Sequence, residues 1–184
     1  MKKGKAVKNL AGGLSYTQQL RWNKKEKAFW AKYFNNPPEP EAIPTHADHL
    51  SFRSSDITDE EIGFLTGRVT SINMLDLDDA YITVETIKHL TRLEHLGELR
   101  LKGCTELYND CVPYLNKIKG LQLLHLVGTN ITIDGLVNMN TLTDLKKLFI
   151  SADTKKDIAS QMQRLKKELP ACEFYVNYQL YEFE

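Results

Sequence analysis

The sequence predicts an α/β solenoid, in which about five to six repeats of 24–26 residues each contribute one strand and one helix. One observation is a pair of apolar residues with a single residue between them, which occurs six times along the chain. The first members of successive pairs are 25, 24, 25, 24 and 26 residues apart. A second is that further apolar residues recur three and six positions before the pair. The six pairs are Leu50/Phe52, Leu75/Leu77, Leu99/Leu101, Leu124/Leu126, Leu148/Ile150 and Phe174/Val176.

Each interior unit reads L-x-x-L-x-x-L-x-L, and a small or short polar residue follows three positions later, as Cys104 does. A helical pattern comes next, such as Ile87 with Leu90. One strand or one helix of this length cannot bury its apolar side alone, so the units must stack. We therefore expect parallel strands on a concave face and helices on a convex face.

This pattern resembles the leucine-rich repeat family, specifically its cysteine-containing type with an I-T-D-x-x-L segment. The segment Ile57-Thr58-Asp59 and the shorter Ile82-Thr83 and Ile131-Thr132 carry the resemblance, which covers residues 43–177. Cysteine occupies its expected position only at Cys104, and the last unit is irregular around Pro170.

Residues 1–42 form a predicted basic arm, a capping helix over residues 15–34 and a proline-rich linker. Residues 1–34 contain nine Lys or Arg and one acidic residue, Glu26, a net charge of +8, so residues 35–184 carry −8. We interpret the aromatic helix as a cap on the first repeat. The alternative is a helix that binds nucleic acid or a membrane surface.

At the other end, residues 155–169 predict an amphipathic helix, and residues 178–184 form an aromatic C-terminal tail. The strand Phe174–Val176 should lie at the edge of the sheet, where unpaired backbone groups invite association. The tail is either a cap for that edge or a segment offered to a partner.

No catalytic constellation is present in the sequence, and we expect neither enzymatic activity nor a cofactor nor a small-molecule substrate. His46 and His49 have HxxH spacing without a third ligand nearby, so we expect no metal site. Three cysteines without a CxxC pair indicate reduced thiols in the cytoplasm. The basic N-terminus leaves a mitochondrial location as the alternative.

Side chains that alternate with the buried pairs should line the concave face. Asp76 and Asp78 are expected beside Arg100 and Lys102 of the next strand, as stabilising cross-strand charge pairs. Farther along, apolar and aromatic residues occupy a face that the fold does not need to bury, which is typical of an interaction site. The predicted partner-binding residues are Leu123, His125, Val127, Phe149, Tyr175, Arg100 and Asp76.

These features predict a non-catalytic, intracellular protein–protein interaction module: an adaptor, scaffold, inhibitor or immunity-type protein. A weaker resemblance, over residues 93–176, is to the small repeat proteins related to mitochondrial ATP synthase coupling factor B and the distal membrane-arm assembly component of respiratory complex I. The stretches LRLKGCTELYNDCVPYL, LKKLFIS and KKELPACEFYV carry it. It implies the alternative function, an assembly or coupling factor of a membrane complex. Nucleic acid or a membrane surface is expected as partner only through the basic arm.

Overall fold

The computed structural model describes residues 24–34 and 42–183, and the chain divides into two compact units at Ile43. The first unit contains helix α1 (Lys24–Tyr33), within the predicted helix over residues 15–34. Its aromatic side chains pack on one another, with ring centroids of Phe29 and Trp30 5.0 Å apart. The start of that predicted helix and the proline-rich stretch lie outside the described residues, and the role as a cap on the first repeat stays a prediction.

The second unit is built on a single seven-stranded sheet whose strand order follows the chain. The first six strands are parallel, and the seventh pairs antiparallel with the sixth. This is an open, mostly parallel α/β sheet, consistent with the predicted solenoid. The strands are β1 (His46–Ser51), β2 (Ser71–Asp76), β3 (His95–Arg100), β4 (Leu123–His125), β5 (Lys147–Ile150), β6 (Glu173–Val176) and β7 (Gln179–Leu180).

The register of the sheet places equivalent repeat positions side by side. Leu50 pairs with Leu75, and the row continues strand by strand as far as Phe174. From Leu75 onward, every member of this row is fully buried. Because side chains alternate along a strand, a slip of one residue would move this row to solvent, and burial therefore fixes the register.

A helix or helical turn follows each of the first five parallel strands, and three of them begin at a threonine of the Ile-Thr signature. The hydroxyl oxygens of Thr58, Thr83 and Thr132 accept hydrogen bonds from backbone N–H groups of the first turn. Thr58 forms a full capping box with Glu61. The helices are α2 (Asp59–Thr66), α3 (Val84–Leu90), the 3₁₀ turn Asn109–Cys111 with α4 (Val112–Leu115), α5 (Ile133–Leu136) and α6 (Ala159–Glu168).

The C-terminal tail folds back on the sheet. Asn177 and Tyr178 have φ angles of 50° and 70°, the left-handed conformation of a tight hairpin turn. Beyond this turn, Leu180 pairs with Tyr175, and the backbone N–H of Tyr181 donates to the Phe174 carbonyl at 2.8 Å. The tail thus covers the edge of β6, one of the two roles that the sequence left open.

Candidate protein-binding site

One face of the sheet carries the side chains that lie between the members of the buried apolar pairs. We call this the outer face. The backbone register aligns its middle row across neighbouring strands, because Asp76 pairs with Arg100, Arg100 with His125, and His125 with Phe149. Tyr175 continues the row on β6. Of the predicted site residues, these five stand in one line.

Four rings form an aromatic cluster on the outer face: His125, Phe149, Tyr175 and Tyr178. Phe149 and Tyr175 stack in parallel, with centroids 4.5 Å apart and planes inclined by 13°. His125 meets Phe149 edge-on at 5.2 Å and Tyr178 edge-on at 5.9 Å. The Tyr175 hydroxyl donates a hydrogen bond to Glu173 at 2.9 Å. Such contacts hold the rings in fixed positions while leaving their outer surfaces partly open.

Tyr178 belongs to this cluster, although it is not among the predicted site residues. Its ring reaches β4 because the hairpin turn directs the chain back over the outer face. The sequence does show an aromatic tail directly after the last apolar pair. Nothing in it indicates the turn that brings the Tyr178 ring back to the sheet.

A small cavity of about 110 Å³ opens beside the cluster. Phe149 and Leu123 in its lining are half-buried, so the cavity offers an apolar wall to an incoming group. The predicted site residue Val127 is also half-buried but does not line this cavity. The lining residues are Arg100, Leu123, His125, Phe149 and Tyr178.

His125 is the most buried side chain of the cluster, at 9% exposure. Burial lowers its pKa below the ordinary value of 6.5; the charge of Asp78 opposes this shift, and that of Arg100 contributes to it. The imidazole is therefore neutral at pH 7, with one nitrogen as donor and the other as acceptor. Its buried Nε2 atom has no hydrogen-bond partner among the described residues.

The ion pairs on the outer face differ from those predicted. Asp76 and Asp78 are paired with Arg53 of the preceding strand's end, at 2.8 and 3.0 Å, and not with Arg100 and Lys102. Asp78 does reach Lys102, but through the backbone N–H, at 2.8 Å. The prediction was wrong because it considered directly facing positions only, whereas the long Arg53 side chain spans to both buried carboxylates.

Arg100 instead approaches Glu98 of its own strand, with 3.6 Å between the charged atoms. That separation is too long for a good hydrogen bond. The Arg100 Nε and Glu98 Oε2 atoms are buried and have no hydrogen-bond partner among the described residues. Arg100 therefore keeps an unused donor beside the aromatic cluster, whereas Asp76 belongs to a satisfied charged cluster.

A larger cavity of about 360 Å³ lies at the carboxyl ends of β4 and β5. Its lining is about equally polar and apolar and comes from residues 129–134, 151–153, 156–158 and 161. None of its lining side chains has a buried, unpartnered polar atom. Size alone does not indicate a ligand, so we assign the candidate site to the smaller cavity.

The cysteines and the HxxH pair do not form a chemical site. Burial raises the pKa of Cys104 and Cys172 to about 12 and that of Cys111 to about 11, so none is an activated thiolate. His46 contacts Asp48 at 3.1 Å, and the described residues contain no group of three His, Cys, Asp or Glu side chains placed to hold a metal ion. None of the described helices is long and apolar enough to cross a membrane.

Comparison with known proteins finds similarity to two proteins that are named as mitochondrial. The chain is 28% identical over 108 residues to the human protein "ATP synthase subunit s, mitochondrial", covering 55% of this chain and 54% of that protein. It is 29% identical over 112 residues to the mouse protein of the same name, covering 58% of this chain and 56% of that one. The chain thus spans about half the length of these curated relatives.

No family model matches the chain. The leucine-rich repeat resemblance therefore rests on the repeated sequence positions, and the open α/β sheet is consistent with a solenoid. The relatives support the weaker of the two sequence resemblances, the one to mitochondrial ATP synthase proteins.

Proposed function

We propose that this protein is a non-catalytic, leucine-rich-repeat-type subunit or assembly factor that binds a protein component of a mitochondrial energy-transducing membrane complex through its outer face. The observation that carries the proposal is the aromatic cluster, an ordered group of rings that the fold does not bury completely. Aromatic residues of this kind dominate the binding energy of protein interfaces. The relatives, which are named as ATP synthase subunits, supply the kind of complex.

The repeat architecture supports a binding role. Stacked repeats present a row of parallel strands as one continuous surface whose outer side chains can change without disturbing the buried rows. In this protein the apolar pairs of β2 to β5 consist only of buried Leu or Ile. The outer row, in contrast, changes from charged at Asp76 to aromatic at Phe149. A surface of this composition recognises another protein and offers no constellation for catalysis.

A mitochondrial location is part of the proposal, in preference to the cytoplasmic adaptor or immunity-type protein. The mitochondrial relatives favour it, and the +8 charge of residues 1–34 suits a segment recognised during import. Fusion of a fluorescent protein to the C-terminus of the full chain tests the location, and a diffuse cytoplasmic signal would contradict it.

The decisive experiment is co-migration with the assembled complex. The tagged full chain is incubated with detergent-solubilised mitochondrial membranes, which are separated on a native gel and probed for the tag and for ATP synthase. We expect the wild-type chain to migrate with ATP synthase. The triple variant His125→Ala, Phe149→Ala, Tyr175→Ala should lose this association.

The matched control is a variant with Tyr81→Ala and Tyr108→Ala. Both tyrosines are exposed, at 83% and 50%, and lie in the loops that lead into α3 and into the 3₁₀ turn, outside the strands of the sheet, so their removal should leave co-migration unchanged. Thermal unfolding of every variant shows whether it is folded. A wild-type chain that migrates apart from ATP synthase would rule out the proposed complex, and equal retention by the triple variant would rule out the outer face.

A further inference from the structure

The cavity beside the aromatic cluster combines an apolar wall with unused hydrogen-bond donors. Leu123, Phe149 and Tyr178 provide the wall, and Tyr178 is 55% exposed. The donors are the Nε atom of Arg100 and the Nε2 atom of His125 in its Nε2–H tautomer, which are buried without a partner among the described residues. Buried polar atoms without partners are rare in folded proteins and need an explanation.

Arg100 and Lys102 carry positive charge beside this cavity, and Glu98 carries negative charge there. Lys102 lies two residues beyond Arg100, and its ammonium group takes part in none of the ion pairs of the described residues. Asp76 and Asp78 are already occupied by Arg53 and by the Lys102 backbone. Glu98 offsets Arg100 only in part, because their charged atoms are 3.6 Å apart. An incoming carboxylate would therefore meet two cations, Arg100 and Lys102, against one carboxylate, Glu98, that is only partly paired.

We propose that this cavity binds a segment of a partner protein in which an acidic residue stands next to an aromatic or large aliphatic residue. The apolar side chain occupies the cavity against Leu123 and Phe149, and the carboxylate accepts hydrogen bonds from Arg100, Lys102 and His125. This inference rests on the proposed function and specifies the chemistry of the partner at the same face.

The geometry fits adjacent residues in the partner. Arg100 and His125 are directly paired on neighbouring strands, which lie about 4.8 Å apart, so one carboxylate can approach both. Leu123 and Phe149 line the same cavity, which brings the neighbouring apolar side chain of the partner within reach of the wall. Arginine suits this task because its guanidinium group binds carboxylates with directional hydrogen bonds. A partner segment without an acceptor would leave these donors unpaired, which costs affinity. The amide oxygen of a neutral Gln can accept from them, but its hydrogen bonds lack the strength that the charge of a carboxylate adds.

The test uses capped dipeptides and the purified full chain. The acidic probes are acetyl-Phe-Glu-amide and acetyl-Glu-Phe-amide, and the neutral probes carry Gln in place of Glu. Titrations followed by two-dimensional NMR report the signals of the His125 ring and the Arg100 Nε–H group. We expect at least one acidic probe to bind with a dissociation constant in the millimolar range, at least fivefold tighter than its neutral counterpart, and to shift both signals.

Two variants test the assignment of the donors. Arg100→Met and Lys102→Met should each reduce the preference for Glu over Gln to less than twofold, and Lys102→Met keeps the test decisive if Arg100→Met does not fold. The control Lys155→Met removes the same charge from an exposed loop and should keep the full preference. Loss of the preference in the control would overturn the inference, because a general effect of net charge would then explain it.

Equal binding of acidic and neutral probes, or no binding at all, would also overturn it. Vesicles containing phosphatidylglycerol form a further arm: binding to them that depends on Arg100, without any preference among the peptides, would replace the protein segment with a lipid surface. These outcomes are independent of co-migration with ATP synthase. If co-migration persists while the dipeptides show no preference, the proposed function stands and this inference fails.

Discussion

The carboxylate of Asp59 accepts a hydrogen bond from the Thr83 hydroxyl of the next repeat, with 2.8 Å between the oxygens. It also accepts the Thr83 and Thr86 backbone N–H groups at 3.0 and 3.2 Å and the Thr86 hydroxyl at 2.6 Å. Asn109 repeats the arrangement farther along, where its Oδ1 atom accepts the Thr132 backbone N–H at 2.9 Å. The first residue of one helical turn thus caps the helix of the following repeat, which couples neighbouring repeats.

The Asp59→Ala substitution should destabilise the protein by about 2 kcal/mol, since it leaves the threonine donors of α3 without this acceptor. Asp59→Asn should cost clearly less, because the amide oxygen of Asn109 performs the same task in a later repeat. Urea unfolding at pH 7.5 measures both. Equal losses for the two variants would show that the charge of Asp59, and not its position as acceptor, is what matters.

The Gly135→Ala substitution tests the same kind of contact between repeats, here where Asn109 meets the start of α5. In an α-helix, alanine normally stabilises by about 1 kcal/mol relative to glycine. Here the added Cβ would lie 2.2 Å from the Asn109 Oδ1 atom, which the Thr132 bonds hold in place. We expect a net destabilisation of about 1–2 kcal/mol, a typical cost of overpacking.

A double-mutant cycle identifies the cause. In an Asn109→Ala background the obstructing amide is absent, so Gly135→Ala should be neutral or stabilising. Urea unfolding of the four proteins should give a coupling energy of at least about 1 kcal/mol. Additive effects would contradict a direct clash between the two positions.

The repeat period was sufficient to predict the strands and their alignment. Leu75, Leu99 and Leu124 are buried in consecutive strands, and burial of a period-two pattern leaves only one register. The middle row of the outer face followed from the same logic, since alternation places His125 and Phe149 opposite the buried row.

The ion pairs and the position of Tyr178 could not be predicted in this way. Both depend on the conformations of particular side chains and turns. The flexible Arg53 side chain is long enough to pair with both Asp76 and Asp78. The position of Tyr178 follows from two consecutive positive φ angles in the turn after β6. Neither feature recurs with the repeat, so the spacing of the apolar residues could not predict either one.

Removal of residues 178–184 should promote self-association. The truncation deletes β7, which pairs with β6, and the Phe183 ring, which contacts Phe174 with centroids 5.9 Å apart. The exposed edge of a parallel sheet offers unpaired backbone groups to another chain. Analytical ultracentrifugation should show larger species for the truncated chain at concentrations where the full chain sediments as one smaller species.

The control for the truncation is Phe183→Ala, which keeps the backbone pairing of β7 while removing one aromatic contact. It should sediment like the full chain. Self-association of this variant to the same extent would assign the protection to the aromatic contact and not to the covered strand edge.

Acidification from pH 7.5 to pH 5.5 should lower the free energy of unfolding, because folding places the buried His125 and the half-buried His89 where their charged forms are disfavoured. Burial lowers the pKa of His125 and of His89 below the ordinary value of 6.5. Below about pH 6.5 the unfolded chain therefore binds more protons than the folded one, and stability falls until the pH passes the folded pKa values. Above pH 6.5 the contribution of both histidines to the free energy of unfolding is fully present. Urea midpoints at pH 7.5, 6.5 and 5.5 should decrease for the wild type and decrease less for His125→Gln, whereas identical pH profiles would show that His125 does not titrate differently on folding.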